Sequence, residues 1–198
     1  MKTAAILLNG PCLDSEIVET DVIAADGGLK LLKNRKPVAC VGDFDSLENK
    51  PEGINYVVFP KEKDETDGQL AVSYAKQAGY DQVNIYAATG GDLGHVLGNV
   101  GLLKYARDIK IGARITAADF TIRLVEGKVS ESARPGQKIS LFPFFGDATV
   151  RSSKGLYYPL SDLTLSAGTS RGLSNVATAT EISFEVSSGM LLLITYNK

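Results

Sequence analysis

Tryptophan is absent from this 198-residue chain, cysteine occurs twice and histidine once. Without tryptophan, any flat surface offered to a ring-shaped ligand must come from tyrosine, phenylalanine or an aliphatic patch. Cys12 and Cys40 are too few for a disulfide-built scaffold, and no Cys/His spacing suits zinc, so a reduced, cytoplasmic setting is expected. Positive charge is not in excess either: 21 Lys and Arg stand against 23 Asp and Glu, for a formal net charge of -2. A phosphodiester backbone calls for a basic stripe, and the mixed charges offer none, so nucleic acid is not an expected partner. No apolar run reaches the ~18 residues of a membrane span, and the opening run at 4–8 ends too early for a secretion signal. No membrane partner is expected.

A chain of this length lies between one long domain and two short ones, and its organisation decides. Up to residue 118, short apolar runs alternate with longer amphipathic ones, the pattern of strands joined by crossover helices in a parallel sheet. Candidate strands are 4–8, 22–25, 38–41, 56–59, 83–87 and 113–117, several apolar throughout, as burial on both faces demands. Apolar residues at helical spacing predict helices over 66–78 and 96–106, with Gly79 closing the first. Beyond Phe120, short β-branched and aromatic segments follow at 121–125, 138–144, 149–151, 181–186 and 190–196. Glu126-Gly127-Lys128, Pro135-Gly136-Gln137, Phe145-Gly146-Asp147 and Ser187-Ser188-Gly189 punctuate them, the spacing of an antiparallel sandwich or barrel. The boundary falls near Asp119.

Acidic residues stand where the apolar runs stop. In Gly42-Asp43-Phe44-Asp45-Ser46 two carboxylates follow a strand two residues apart, and extended geometry would turn both to one side, beyond the carboxyl end of a parallel sheet. Such a place suits a hard cation, although Gly-Asp and Asp-Ser are also common turn pairs. In Lys63-Asp64-Glu65-Thr66-Asp67 the two aspartates are three apart at a helix start, which fits a cap with an acid in its first turn and equally a second pair of metal carboxylates beside a lysine. Asp26-Gly27-Gly28 ends another strand with glycines that admit close approach of phosphate to the backbone. Thr89-Gly90-Gly91-Asp92-Leu93-Gly94-His95 also leads from a strand end into a helix. No Walker A sequence is present.

Taken in order, these elements resemble the bacterial type of thiamine pyrophosphokinase. The family pattern is Asp-Gly-Gly, then Gly-Asp-Phe-Asp-Ser, then Lys-Asp-x-Thr-Asp before a helix, then Gly-Gly-Arg-x-Asp-His. The carboxyl half matches through Gly155-Leu156-Tyr157-Tyr158-Pro159-Leu160 and Ser170-Arg171-Gly172-Leu173-Ser174-Asn175, so the resemblance covers nearly the whole chain. It implies α/β followed by all-β: a Rossmann-like parallel-sheet catalytic domain over 1–118 and a small antiparallel β-sandwich, for thiamine binding and dimerisation, over 119–198. The reaction implied is thiamine plus ATP giving thiamine diphosphate plus AMP, in a homodimer with inter-subunit active sites. Asp43, Asp45, Asp64 and Asp67 are the implied magnesium-binding and catalytic acids. Asp26, Gly27, Gly28, Ser46, Lys63, Thr66 and His95 would serve ATP, and Asn99, Ser174 and Asn175 thiamine.

Asp92 stands where the family has arginine, Gly94 where it has aspartate, and the usual Ser-Asn-Glu reads Ser174-Asn175-Val176. An acid in place of a phosphate-binding fork reverses the local charge. Two other functions compete on these residues: a non-catalytic nucleotide- or thiamine-binding homologue, and a magnesium-dependent phosphohydrolase.

Overall fold

The apolar runs of the first 118 residues are buried because they build one parallel sheet. The computed structural model describes residues 1–32, 35–45 and 50–197, and the chain divides into two units, Met1–Ala118 and Asp119–Lys198. The first contains β1 (Thr3–Leu7), β2 (Asp21–Ala25), β3 (Ala39–Gly42), β4 (Tyr56–Val58), β5 (Gln82–Tyr86) and β6 (Gly112–Thr116). They lie in the order β6-β5-β1-β2-β3-β4, with each neighbouring pair parallel. Ala4, Ala5, Ile6 and Leu7 of the central β1 are fully buried. Strand order reverses beside β1, with β2 to β4 on one side and β5 and β6 on the other, and ligands collect at such a reversal in open α/β sheets.

Two helices carry the chain between these strands: α1 (Asp67–Gln77) precedes β5 and α2 (Leu93–Asp108) follows it. A capping box fixes the start of α1: the Thr66 hydroxyl accepts from the Gln69 N–H, and the Gln69 side chain accepts from the Thr66 N–H. Leu70, Ala71, Val72 and Ala75 form its buried stripe, and Gly79 at φ 79° follows its end. α2 begins three residues before the expected position, because Asp92 accepts a hydrogen bond from the His95 N–H and so caps it. Asp26-Gly27-Gly28 opens a short 3-10 helix, Asp26–Leu31. No helix among the described residues is long and apolar enough to cross a membrane.

The second unit is antiparallel in all its pairings: β7 (Phe120–Ser132), β8 (Lys138–Phe142), β9 (Ala148–Lys154), β10 (Leu163–Leu165), β11 (Asn175–Val176) and β12 (Glu181–Tyr196). Two expectations are corrected here. Segments 181–186 and 190–196 are one strand, and β7 runs on past Gly127. The glycines at 127 and 189 mark a bulge rather than turns, since the β12–β7 register shifts between Val186 and Leu191. Both take positive φ, 65° and 72°, which lets the chain absorb extra residues without ending the ladder. β12 pairs with β9 near its start and with β8 near its end. Inward residues from these strands, Ile139, Leu141, Val150, Leu165, Ile182, Leu191 and Leu193, make the core.

Candidate active site

Asp43 and Asp45 converge through a turn, not through strand alternation as the sequence suggests. β3 stops at Gly42, and Phe44 then adopts φ 61°, an unusual conformation for a bulky residue. Burial of its ring, edge-on to Tyr56 at 5.1 Å, holds it there. The turn closes with the Asp45 N–H donating to Asp43 Oδ1 at 3.1 Å. Asp26, directly after neighbouring β2, is also at positive φ, and one oxygen each from Asp26, Asp43 and Asp45 lies within 4.8 Å of the others. Gly42 makes this approach possible: a Cβ there would lie 3.0 Å from Asp26 Cβ and 3.2 Å from Asp67 Oδ1.

Lys63 ties the helix start to this group, with Nζ 3.1 Å from Asp43 Oδ2 and 3.1 Å from Asp67 Oδ1. The Asp45 N–H, and then Lys63, hold the Asp43 carboxyl below its ordinary range. Burial above all, with Asp26 and Asp43 adding to it, pushes the Asp67 carboxyl up despite the opposing pull of Lys63. Burial alone would lower the Lys63 ammonium, but bonding to Asp43 and Asp67 outweighs it and the net shift is upward. Cys40, under Asp26, is pushed up to about 12, mainly by burial and then by Asp26, so its thiol stays protonated and inert.

Asp26, not Asp64, supplies the third acid. The cap of α1 is Thr66, so Asp64 precedes the helix; it is exposed and lies outside the three-acid group. Asp64 and Asp67 do not share a helical turn, because helical spacing begins only after Thr66. Asp67 lies against Gly42 and Lys63, adjoining the group. This donor set fits a hard dication such as magnesium. Its ligands are all carboxylate oxygens, without sulfur or nitrogen, and Asp67 Oδ1 is buried with an ion-pair contact but no well-directed hydrogen bond.

A cleft of about 850 Å³ opens beside the acids, at the carboxyl ends of β1, β2 and β5 and the amino ends of both helices. Asp26, Lys63, Thr66, Asp67, His95 and Asn99 line it, together with Asn9, Lys61 and Glu65, which the sequence reading did not select. Position alone could have signalled Asn9, a polar residue directly after the first buried strand. Gly27 and Gly28 are buried and do not belong to the described lining. Cβ atoms there would strike the Asn9 amide at 2.5 Å and the Leu7 carbonyl oxygen at 2.2 Å, so packing explains both glycines. His95 Nδ1 is 2.9 Å from Asp92 Oδ1, and Asn99 donates to the Ala88 carbonyl. Ser46 lies outside the described residues.

Ser174 and Asn175 belong to the second unit. Ser174 is exposed at φ 56°, and its N–H donates to Ser140 Oγ. Asn175 is 1% exposed, and its amide is engaged by protein: Oδ1 accepts from the Tyr158 and Val176 N–H groups, and Nδ2 donates to the Tyr158 carbonyl. It holds the backbone beneath two exposed rings, Tyr157 and Tyr158, which meet edge-on at 4.9 Å.

Each unit contains a match to one family model. The model for the thiamin pyrophosphokinase catalytic domain matches residues 17–113, and that for the thiamin pyrophosphokinase vitamin B1 binding domain matches 126–191. The curated thiamine pyrophosphokinase of Bacillus subtilis (strain 168) is 30% identical over 166 residues, 80% of this chain and 78% of that protein. A crystal structure of thiamine pyrophosphokinase from Bacillus subtilis superposes with a TM-score of 0.84 at 26% identity, covering 98% of this chain and 99% of its own. Thiamin pyrophosphokinase from Geobacillus thermodenitrificans gives 0.81 at 25%, covering 99% and 98%. Likeness of this extent in sequence, together with the paired models, means that the chain belongs to the thiamine pyrophosphokinase family.

Proposed function

We propose that the protein transfers the pyrophosphoryl group of ATP to the hydroxyl of thiamine, giving thiamine diphosphate and AMP. The thiamine hydroxyl oxygen forms a bond to the β-phosphorus while the bond from that phosphorus to the α–β bridging oxygen breaks. AMP leaves with the electron pair, and the hydroxyl proton is lost. The observation that carries this reading is the convergence of Asp26, Asp43 and Asp45 beside a cleft whose wall holds Asp26, Lys63 and Asp67. Asp26, Asp43 and Asp45 would hold magnesium, which supplies charge neutralisation and alignment for the triphosphate. Lys63, tied to two carboxylates, keeps Asp43 and Asp67 in place and limits their mutual repulsion. In the second unit, Tyr157 and Tyr158 offer thiamine the aromatic faces that a cationic thiazolium favours.

The reading includes a Rossmann-like first domain, supported by the parallel strand order and its reversal beside β1. The second domain is read as a β-sandwich, supported by its antiparallel pairings and enclosed apolar core. A homodimer is carried over from the family resemblance, and sedimentation of the purified chain tests it. A cytoplasmic setting agrees with two free cysteines, one exposed and one buried.

Incubation with ATP, magnesium and thiamine, followed by separation of products, tests the reaction. AMP and thiamine diphosphate are expected. ADP or inorganic phosphate would indicate a kinase or phosphohydrolase, and ligand binding without turnover would leave a binding protein only. Asp43→Ala is expected to abolish turnover in a folded protein, and a wild-type rate in that variant would overturn the metal assignment.

A further inference from the structure

We infer that the side-chain amide of Asn9 donates to a phosphoryl oxygen of the nucleoside triphosphate, and that Gly27 lacks a side chain to make room for it. The inference rests on the nucleotide reading of the cleft given above. Asn9 follows the buried end of β1, beside the reversal of strand order, and is exposed in the cleft lining. A Cβ on Gly27 would lie 2.5 Å from Asn9 Cγ, 2.5 Å from Nδ2 and 2.6 Å from Oδ1. The amide therefore lies flat on the backbone of the residue that follows Asp26, one of the three converging acids.

The other amide and ammonium groups of the described lining are already engaged. Lys61 pairs with Asp45 at 2.5 Å, Lys63 with Asp43 and Asp67, and Asn99 with the Ala88 carbonyl. The Thr66 hydroxyl caps α1. Asn9 makes no side-chain hydrogen bond among the described residues, so both of its amide hydrogens remain for a ligand. Its neutrality matters. A cation placed among these carboxylates is captured as an ion pair, as both lysines are, whereas an amide can stand beside them and still present N–H to an anionic oxygen. A carboxylate of the same shape would add to the acids and repel phosphate.

Gly27 gives a second, independent handle on the same amide. It does not adopt positive φ, so its backbone accepts alanine, and the three atoms nearest to the new Cβ all belong to the tip of the Asn9 side chain. Gly27→Ala leaves Asn9 in the chain but moves its amide off the cleft floor.

The test uses the full chain with Asn9→Ala, Asn9→Asp, Gly27→Ala and the Asn9→Ala/Gly27→Ala double variant. Steady-state kinetics with ATP and thiamine are paired with calorimetric titration of α,β-methylene ATP in the presence of magnesium. Asn9→Ala and Gly27→Ala should each lower kcat/KM for ATP and weaken analogue binding by about 10- to 100-fold, the worth of one hydrogen bond to a charged acceptor. The KM for thiamine should stay within about twofold, because the lost contact is to the other substrate. The double variant should be no worse than the poorer single one, since both remove one contact. Asn9→Asp should bind the analogue more weakly than Asn9→Ala. Wild-type analogue affinity in Asn9→Ala, or losses that multiply in the double variant, would overturn the inference. If the wild-type chain makes no AMP yet binds the analogue in an Asn9-dependent way, the transfer reaction fails while the Asn9 contact stands.

Discussion

Asn175→Ala should unfold the second unit early and weaken thiamine use without touching ATP. The side chain is 1% exposed and makes three hydrogen bonds of 2.8 to 3.0 Å, two with the backbone of Tyr158 and one with the Val176 N–H. Alanine removes all three and strands two N–H groups and a carbonyl where water reaches poorly. At about 1 kcal/mol net for each bond, the loss is about 3 kcal/mol, and it rises toward 5 if the stranded groups stay dry. Urea unfolding followed by circular dichroism reads this directly, and tyrosine fluorescence serves as a second probe because the chain has no tryptophan. The segment released carries Tyr157 and Tyr158, so the KM for thiamine should rise while the KM for ATP, whose proposed cleft lies in the first unit, holds. A change in stability within about 0.5 kcal/mol, the range of an ordinary surface substitution, would refute the clamp.

Gly42→Ala should cost about 1–3 kcal/mol in backbone strain, since φ 153° lies outside the range open to most side chains. Its Cβ, 3.0 Å from Asp26 Cβ, should also spread the acids and raise the magnesium concentration needed for half-maximal AMP formation; an unchanged magnesium dependence would count against the three-acid group. Thr66→Ala removes one half of the capping box and should lower stability by about 1 kcal/mol, read as a drop in thermal midpoint. No change there would mean that the cap is not what starts α1.

The parallel sheet could be read from sequence because burial on both faces leaves unbroken apolar runs, as at 4–8 and 22–25, that need no tertiary information to recognise. The acidic group could be read only in part. Asp43 and Asp45 share one motif, but Asp26 reaches them through the pairing of β2 with β3, which sets Ala25 beside Val41, and no sequence window contains that register. Its motif alone points to Asp64. Yet Thr66 and Gln69, a Thr-x-x-Gln capping signature, already fix the start of α1 and leave Asp64 outside the first turn. The glycines at 127 and 189 misled for another reason: positive φ serves a turn and a bulge equally, and only the partner strand distinguishes them.

Asp92 and Gly94, the two departures from the family motif, act as one change. Asp92 Oδ1 accepts from the His95 N–H at 2.9 Å and lies 2.9 Å from His95 Nδ1, so this carboxylate is placed on the amino end of α2. The His95 N–H, and then its ring, hold the Asp92 carboxyl below the ordinary range, and the helix end itself favours negative charge there. In the proposed triphosphate site, the acid that replaces the family's arginine would therefore present a charge already partly offset, which accounts for its being tolerated there. Gly94 belongs to the same arrangement, because a Cβ at that position would lie 3.1 Å from Asp92 Oδ1. Gly94→Asp alone should crowd the cap and set a second carboxylate beside the first, lowering both the thermal midpoint and the affinity for ATP. Asp92→Arg alone removes the cap, whereas Asp92→Arg with Gly94→Asp restores the family pair and should recover more than the two single losses combined would allow. Thermal unfolding and ATP kinetics on these four proteins decide it, and strictly additive losses would show that the two positions changed independently.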